Sequence, residues 1–318
     1  MKKLVSWVLG FIVGIFVVVT AISGAYLYVA LHVGNRDFNE DFAARSEHMH
    51  EIYDGEATRL IDSLYSCHAL RDTFFVSDDG ERQHAMFVQN DSAKGRTAVV
   101  VHGYRSRLES MLPLSTIYYR MGYNVLLPDL HAHGLSDGKM IQMGWKDRLD
   151  VKAWVNRAPG IFHSDSLKVV VHGVSMGAAT TMCLSGEDDA PQSIRCYVED
   201  CGYSSVMDEF SVQGVEQYGK VTSLFLKPAS LLCKVVLGWS FTEASAVKQV
   251  SKCQKPMFFI HGSVDTYVPT SMVYKVHDAK PGKKRLWIAT ASSHARSFSE
   301  NQEMYARQVT DFVSPFME

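Results

Sequence analysis

The chain opens on an almost wholly apolar run, Leu4 to Leu31, with no charge inside it and Lys2 and Lys3 directly in front. About 20 apolar residues suffice for a helix to cross the hydrocarbon core of a bilayer, so residues 1–33 read as a transmembrane anchor. A secretory signal peptide is the rival reading. Its apolar region would be shorter, however, and no small-x-small cleavage site precedes a polar mature start. Positive charge lies before the run, and the sequence after it is mixed and slightly acidic (Arg36, Asp37, Glu40, Asp41, Arg45, Glu47). That asymmetry predicts a cytoplasmic N-terminus, an extracytoplasmic bulk and an interfacial place for Tyr26 and Tyr28. Residues 34–72 are polar with spaced apolar positions (Phe38, Phe42, Ile52, Leu60, Ile61, Leu64), which predicts a helical connector docked on the domain C-terminal to it.

From Thr73 the pattern turns to strands. Thr73–Val76 and Gln83–Val88, separated by Asp78-Asp79-Gly80, predict an antiparallel hairpin. Thr97–Val101 is a continuous β-branched run of the kind buried on both faces of a sheet. Further strands are expected at Asn124–Leu127, Leu167–Val171, Ile194–Glu199, Pro256–Ile260 and Arg285–Ala289. Helices are expected at about 110–121, 145–156, 178–184 and 300–313. Strands alternating with helices after an initial hairpin predict an α/β fold with a mostly parallel, doubly wound sheet over residues 73–318.

One segment breaks the alternation. Between Tyr203 and Lys252 lie about fifty residues where one crossover helix would do. They are rich in apolar residues (Phe210, Leu224, Phe225, Leu231, Val235, Trp239) and are broken by Gly219, Pro228 and Gly238. This predicts an insertion of short helices, a lid if the site lies beneath it and a mere elaboration of the core if not.

Composition narrows the chemistry. The formal net charge is −2 with no basic tract, which points away from nucleic acid. The six cysteines show neither C-x-x-C pairs nor zinc-like spacing, so no metal site is expected, and they read as small buried hydrophobes. His48 and His50 form an H-x-H unsupported by other ligands and read as solvated histidines.

Candidate chemistry centres on Gly173-Val174-Ser175-Met176-Gly177. Placed between a strand and a helix, G-x-S-x-G makes a strained nucleophile elbow, and an ordinary glycine-rich turn is the alternative. A serine hydroxyl needs a base to take its proton, and imidazole suits that task near neutrality. Thirteen histidines compete for the role. The base needs an orienting carboxylate, for which Asp265, Asp200 and Asp129 are the candidates by position.

His102-Gly103, Asp129 with His133-Gly134-x-Ser136-x-Gly138, the G-x-S-x-G, His261-Gly262-x-x-Asp265-x-x-Val268-Pro269 and Ser293-His294 occur in an order that resembles the α/β-hydrolase superfamily. The resemblance covers about residues 73 to 318, and within the superfamily it is similar to membrane-anchored bacterial serine-aminopeptidase-like or prolyl-oligopeptidase-like hydrolases. It implies Ser175 as nucleophile, His294 as base and Asp265 as its acid, with Asp200 the rival used by some lineages. It also implies structural roles for His102, His131, His133, His261 and Asp129, and an oxyanion hole from the backbone amides of Tyr104 and Met176. Ser263, Val264 and Ser293 depart from common residues at their positions without removing a catalytic group.

The expected activity is hydrolysis of an ester, thioester or amide through an acyl-enzyme on Ser175, with no cofactor and with a small-molecule, lipid or peptide acyl substrate. An acyltransferase using the same triad and a non-catalytic binding protein on the same fold are the alternatives. The apolar insertion and the anchor suggest lipidic acyl groups, whereas a peptidase would need an acidic group for a substrate amine.

Overall fold

The computed structural model describes residues 2–33, 52–53 and 55–318. The remainder of the expected connector, with Phe38, Phe42 and the His48/His50 pair, lies outside the described residues, as do the charged positions between Arg36 and Glu47.

Eight strands form one sheet in the order β1-β2-β4-β3-β5-β6-β7-β8. The strands β1 (Arg71–Val76) and β2 (Arg82–Val88) make the hairpin, and β2 runs antiparallel to β4 (Asn124–Pro128). From β4 onward all pairings are parallel, through β3 (Arg96–Val101), β5 (Lys168–Val174), β6 (Ile194–Asp200), β7 (Met257–Gly262) and β8 (Lys284–Ala289). This is the mostly parallel sheet that the alternating pattern predicts.

The central strands are apolar throughout because both faces are covered. In β3, Val99 and Val101 point into one core layer and Ala98 and Val100 into the other. The first layer holds α4 (Asp147–Ile161), α5 (Met176–Ser185) and, from the insertion, α7 (Ser223–Leu237), through Trp154, Met182 and Ala229 among others. The second holds α2 (Gly55–Ser66), α3 (Leu112–Arg120) and α11 (Gln302–Met317), through Ile61, Ile117 and Phe312. The insertion comprises α6 (Val206–Tyr218), a 3-10 turn, α7 and α8 (Ala246–Val250). A helix absent from the sequence reading, α9 (Ser271–Ala279), joins β7 to β8, and a short α10 (Ser297–Glu300) precedes α11.

The apolar N-terminal run forms one helix, α1 (Lys2–Leu31), long and apolar enough to cross a membrane. Its first part, Leu4 to Val18, is exposed along its length, whereas its last two turns belong to the globular core. Leu27 and Leu31 are buried against the first layer. Past the helix, Val33 N donates to Lys139 O and Ile141 N donates to Leu31 O at 2.7 Å. Arg105 Nη2 donates to Val29 O at 2.9 Å and Tyr104 Oη to Ala30 O at 2.6 Å, so two of the carbonyls that a helix end leaves open are answered by one loop of the domain. Tyr28 is exposed and stacks on His32, while Tyr26 turns inward, edge-on to Phe210 at 5.8 Å.

Candidate active site

Parallel strands end on a common edge, and the loops leaving β3, β5, β7 and β8 meet there. Ser175 follows β5 at φ 56° and ψ −118°, a conformation that costs a non-glycine residue about 1–3 kcal/mol. The turn closes only on glycines. A Cβ on Gly173 would lie 2.0 Å from Gly177 O, and one on Gly177 would lie 2.2 Å from Val101 O. The Ser175 amide donates to Asp200 O at 2.8 Å, which fixes the elbow to the neighbouring strand.

Ser175 Oγ lies 2.9 Å from His294 Nε2, and His294 Nδ1 lies 2.8 Å from Asp265 Oδ2. The assignment that satisfies both contacts has the serine hydroxyl donating to Nε2 and Nδ1–H donating to the carboxylate. Asp265 is held firmly. Its Oδ1 accepts the amides of Tyr267 and Val268 at 3.0 Å each, and its Oδ2 also faces His261 Nε2 at 3.3 Å. Burial acts to raise this carboxyl, but the hydrogen bonds and charge of His261 and His294 outweigh it and keep the acid below its ordinary range.

The rival acids are engaged elsewhere. Asp200 accepts Ser297 Oγ at 3.1 Å and Tyr305 Oη at 3.0 Å, and burial pushes its carboxyl up to about 6 despite both bonds. Asp129 accepts the amides of Leu108 and Leu135 and pairs with His84 Nδ1 at 2.7 Å, so it ties loops together away from His294. The histidines of the glycine-rich loop are structural as well. His133 Nδ1 bonds His131 O and its Nε2 accepts the Arg105 amide, while His102 Nε2 accepts the Leu130 amide.

The loop after β3 comes to the elbow through Gly103, where a Cβ would meet Ser175 Cβ at 3.3 Å. Among the described residues, neither the Tyr104 nor the Met176 amide has a backbone acceptor; Met176 follows Ser175 in the chain, and Tyr104 follows Gly103 and lines the same cleft as Ser175. Two donors of this kind suit a developing oxyanion. Among the described residues the side chains spaced for a metal ion are Cys201, Asp265 and His294. His294 and Asp265 are already paired, and burial holds the Cys201 thiol well above its ordinary range and hence protonated.

Ser175 opens on a cleft of about 530 Å³. A larger groove of about 1180 Å³ beside His131 and Trp239 does not reach Ser175, and size is the weaker guide here because the smaller cleft is the one that contains a serine hydroxyl in contact with an imidazole. The walls of the smaller cleft come from α6 (Glu209, Phe210, Gln213), from Tyr203 and Tyr267, and from α1 (Tyr26, Val29, Ala30).

Gln213, Tyr267 and two larger contributions go unannounced by the sequence. One is α1, which carries no polar face to announce a contact. The other is Glu209, 3% exposed, with its Oε2 unpartnered and its carboxyl pushed up to about 8 by burial, the charge of Asp265 adding to the effect. It is therefore neutral below about pH 8 and charged above. In the wild type, the ratio of kcat/KM for a substrate bearing an ammonium group over its neutral isostere is expected to rise about tenfold, or ~1.4 kcal/mol, between pH 7 and 9. In Glu209→Gln the ratio is expected to stay flat, and equal slopes in the two proteins would remove Glu209 from substrate selection.

No protein-family model matches the chain. Among curated proteins, an uncharacterized protein of Bacillus subtilis (strain 168), YqkD, is 27% identical over 217 residues, covering 68% of this chain and 70% of its own. Among solved structures, the esterase Pf2001 of Pyrococcus furiosus superposes with a TM-score of 0.64 at 26% identity, covering 78% of this chain and 93% of that one. The chain has the α/β-hydrolase fold. An acylaminoacyl peptidase of Pyrococcus horikoshii shares the fold of this chain at a TM-score of 0.60 and 14% identity, over 78% of this chain and 41% of that one. The esterase likeness supports a hydrolytic enzyme, and the peptidase likeness shows the fold alone.

Proposed function

We propose that the protein is a serine hydrolase in which Ser175 attacks the carbonyl of an ester, thioester or amide. The observation that carries this reading is the unbroken contact from Ser175 Oγ through His294 to Asp265, with two free amides beside the serine. In the first half-reaction His294 Nε2 takes the hydroxyl proton as Oγ bonds to the carbonyl carbon. The oxyanion that forms is held by the amides of Tyr104 and Met176. His294 then returns the proton to the leaving oxygen, sulfur or nitrogen, the acyl–heteroatom bond breaks, and the acyl group remains on Ser175. Water attacks that ester with His294 again as base, and the acid product leaves. Asp265 stays ionised, holds Nδ1–H and stabilises the imidazolium; its depressed acidity range suits that role.

We place the N-terminus on the cytoplasmic side of the membrane, with α1 as a single-pass anchor and the hydrolase outside, on the length and flanking charge of α1. Added protease should then reach the catalytic domain from the outer surface of intact cells.

The function is tested by exposing the full chain in detergent to a fluorophosphonate probe. Wild type is expected to take the label on Ser175 and Ser175→Ala to take none while keeping the same thermal melt. A folded wild type that stays unlabelled sinks the proposal.

A further inference from the structure

The insertion carries an unusual helix. Residues Leu226, Ala229, Ser230 and Cys233 of α7 are buried, while Leu224, Leu231, Val235 and Val236 on its outer side are 67–76% exposed. This face adjoins α1. Phe16, Val19 and Ser23 of α1 form an apolar groove with Leu231, Leu232 and Val235 of α7. The helices come close enough that a Cβ on Gly24 would lie 3.7 Å from Leu232 Cδ2.

The length of α1 fixes what surrounds that groove. At 1.5 Å per residue, Leu4 to Ser23 spans about 30 Å, the thickness of a bilayer's hydrocarbon core. Were α7 wholly in water, the groove at Phe16 would mark the membrane surface. Leu4 to Ile15 would then have to cross with only about 18 Å of helix. The span fits only if the level from Phe16 to Ser23, and the α7 side chains facing it, lie inside the bilayer. Lys227, which also lines the groove, has a stem long enough to carry its charge up to the headgroups.

The same arithmetic places the cleft. Tyr26, Val29 and Ala30, which line it together with Ser175, are about 5–10 Å along α1 from Ser23, within the headgroup layer. The ester carbonyls of bilayer lipids reside at the inner edge of that layer, about one helical turn from Tyr26. Resting on the reading of Ser175 as the nucleophile and α1 as a span, we propose that α7 and the outer half of α1 form one membrane-inserted surface that holds the cleft at headgroup depth, and that the substrate is a carboxylic ester resident in the bilayer.

The test uses the full chain in phosphatidylcholine vesicles. The exposed cysteine is removed by Cys67→Ser; the other five are buried. Nitroxide labels are then attached at Leu231→Cys, Val235→Cys and, as a control on the opposite layer, Met304→Cys on α11. Labels at 231 and 235 should be relaxed by oxygen and shielded from a soluble nickel chelate, with the label at 304 showing the reverse. Nickel access at 231 and 235 equal to that at 304 overturns the placement.

For the substrate, the double variant Leu231→Asp/Val235→Asp should turn over 4-methylumbelliferyl oleate held in the vesicles at least tenfold more slowly, and p-nitrophenyl acetate in water within twofold of wild type. Equal effects on the two esters overturn the bilayer-resident substrate. A wild type silent toward both esters and toward the fluorophosphonate probe refutes the serine hydrolase reading and the substrate class with it, while the label depths still decide where α7 lies.

Discussion

Replacing Asp265 with asparagine is expected to lower kcat/KM for a simple ester by about 10⁴, or ~5.5 kcal/mol of transition-state stabilisation. The loss comes from proton placement. The asparagine amide oriented toward His294 would donate where Oδ2 now accepts, so Nδ1 would become the acceptor and the proton would move to Nε2. A protonated Nε2 cannot take the proton of Ser175, although the 2.9 Å contact would survive. The amides of Tyr267 and Val268 still find the side-chain oxygen, so the fold should be retained. Asp200→Asn is the matched control, because its partners are Ser297 and Tyr305, and its effect should stay within tenfold. If Asp200→Asn proves the more damaging of the two while both proteins melt normally, the acid has been misassigned.

The largest loss of stability is expected from Gly173→Ala. Its new methyl group would lie 2.0 Å from Gly177 O and 2.6 Å from Ala178 N, both backbone of the helix that follows the serine. Neither β5 nor that helix can retreat without breaking the sheet or opening the first turn of α5, so a cost above about 4 kcal/mol is expected, in the range kept for steric conflict in a packed interior. Gly160→Ala should go the other way. That glycine lies inside α4 with nothing within 4 Å of the added Cβ, and filling it should gain about 0.5–1 kcal/mol from helix propensity. Thermal melts of the two variants in the same detergent measure the contrast; a Gly173→Ala protein as stable as wild type would mean that the elbow is not built as described.

These two sites also show what a sequence makes legible. The strands were readable because runs such as Ala98–Val101 and Val169–Val171 are apolar on both faces, a pattern that a covered sheet requires. The elbow and the histidine loops were readable because close backbone approach demands glycine at fixed spacing. Helix ends were less so. Pro159 and Pro315 would normally mark a stop, yet α4 and α11 continue to Ile161 and Met317, each giving up the bond that proline cannot donate. Helix α9 went unseen because only Met272, Val273 and Val276 of its nine residues are buried, too short a run to establish a period.

The site was legible in its motif residues and not in its walls. Glu209 stands in a stretch with no fixed spacing to any other functional group, and only the fold brings it to the cleft. The contact of α1 was hidden for the opposite reason. Ser23, Tyr26, Leu27, Ala30 and Leu31 recur at the three- and four-residue spacing of a packing stripe, but in a helix apolar on every side such a stripe does not stand out.

The burial of Leu27 and Leu31 bears on how the protein is made and removed. A leader is designed to be discarded, yet a processing enzyme that cut after Leu31 would take part of the core with it. The same cut would strip Tyr104 and Arg105, in the loop that reaches Ser175 through Gly103, of their carbonyl partners. A protein cut there is therefore expected to be less stable than the full chain, which thermal melts of the two forms would measure. Trimming at that point would loosen the cleft around Ser175 instead of releasing it intact.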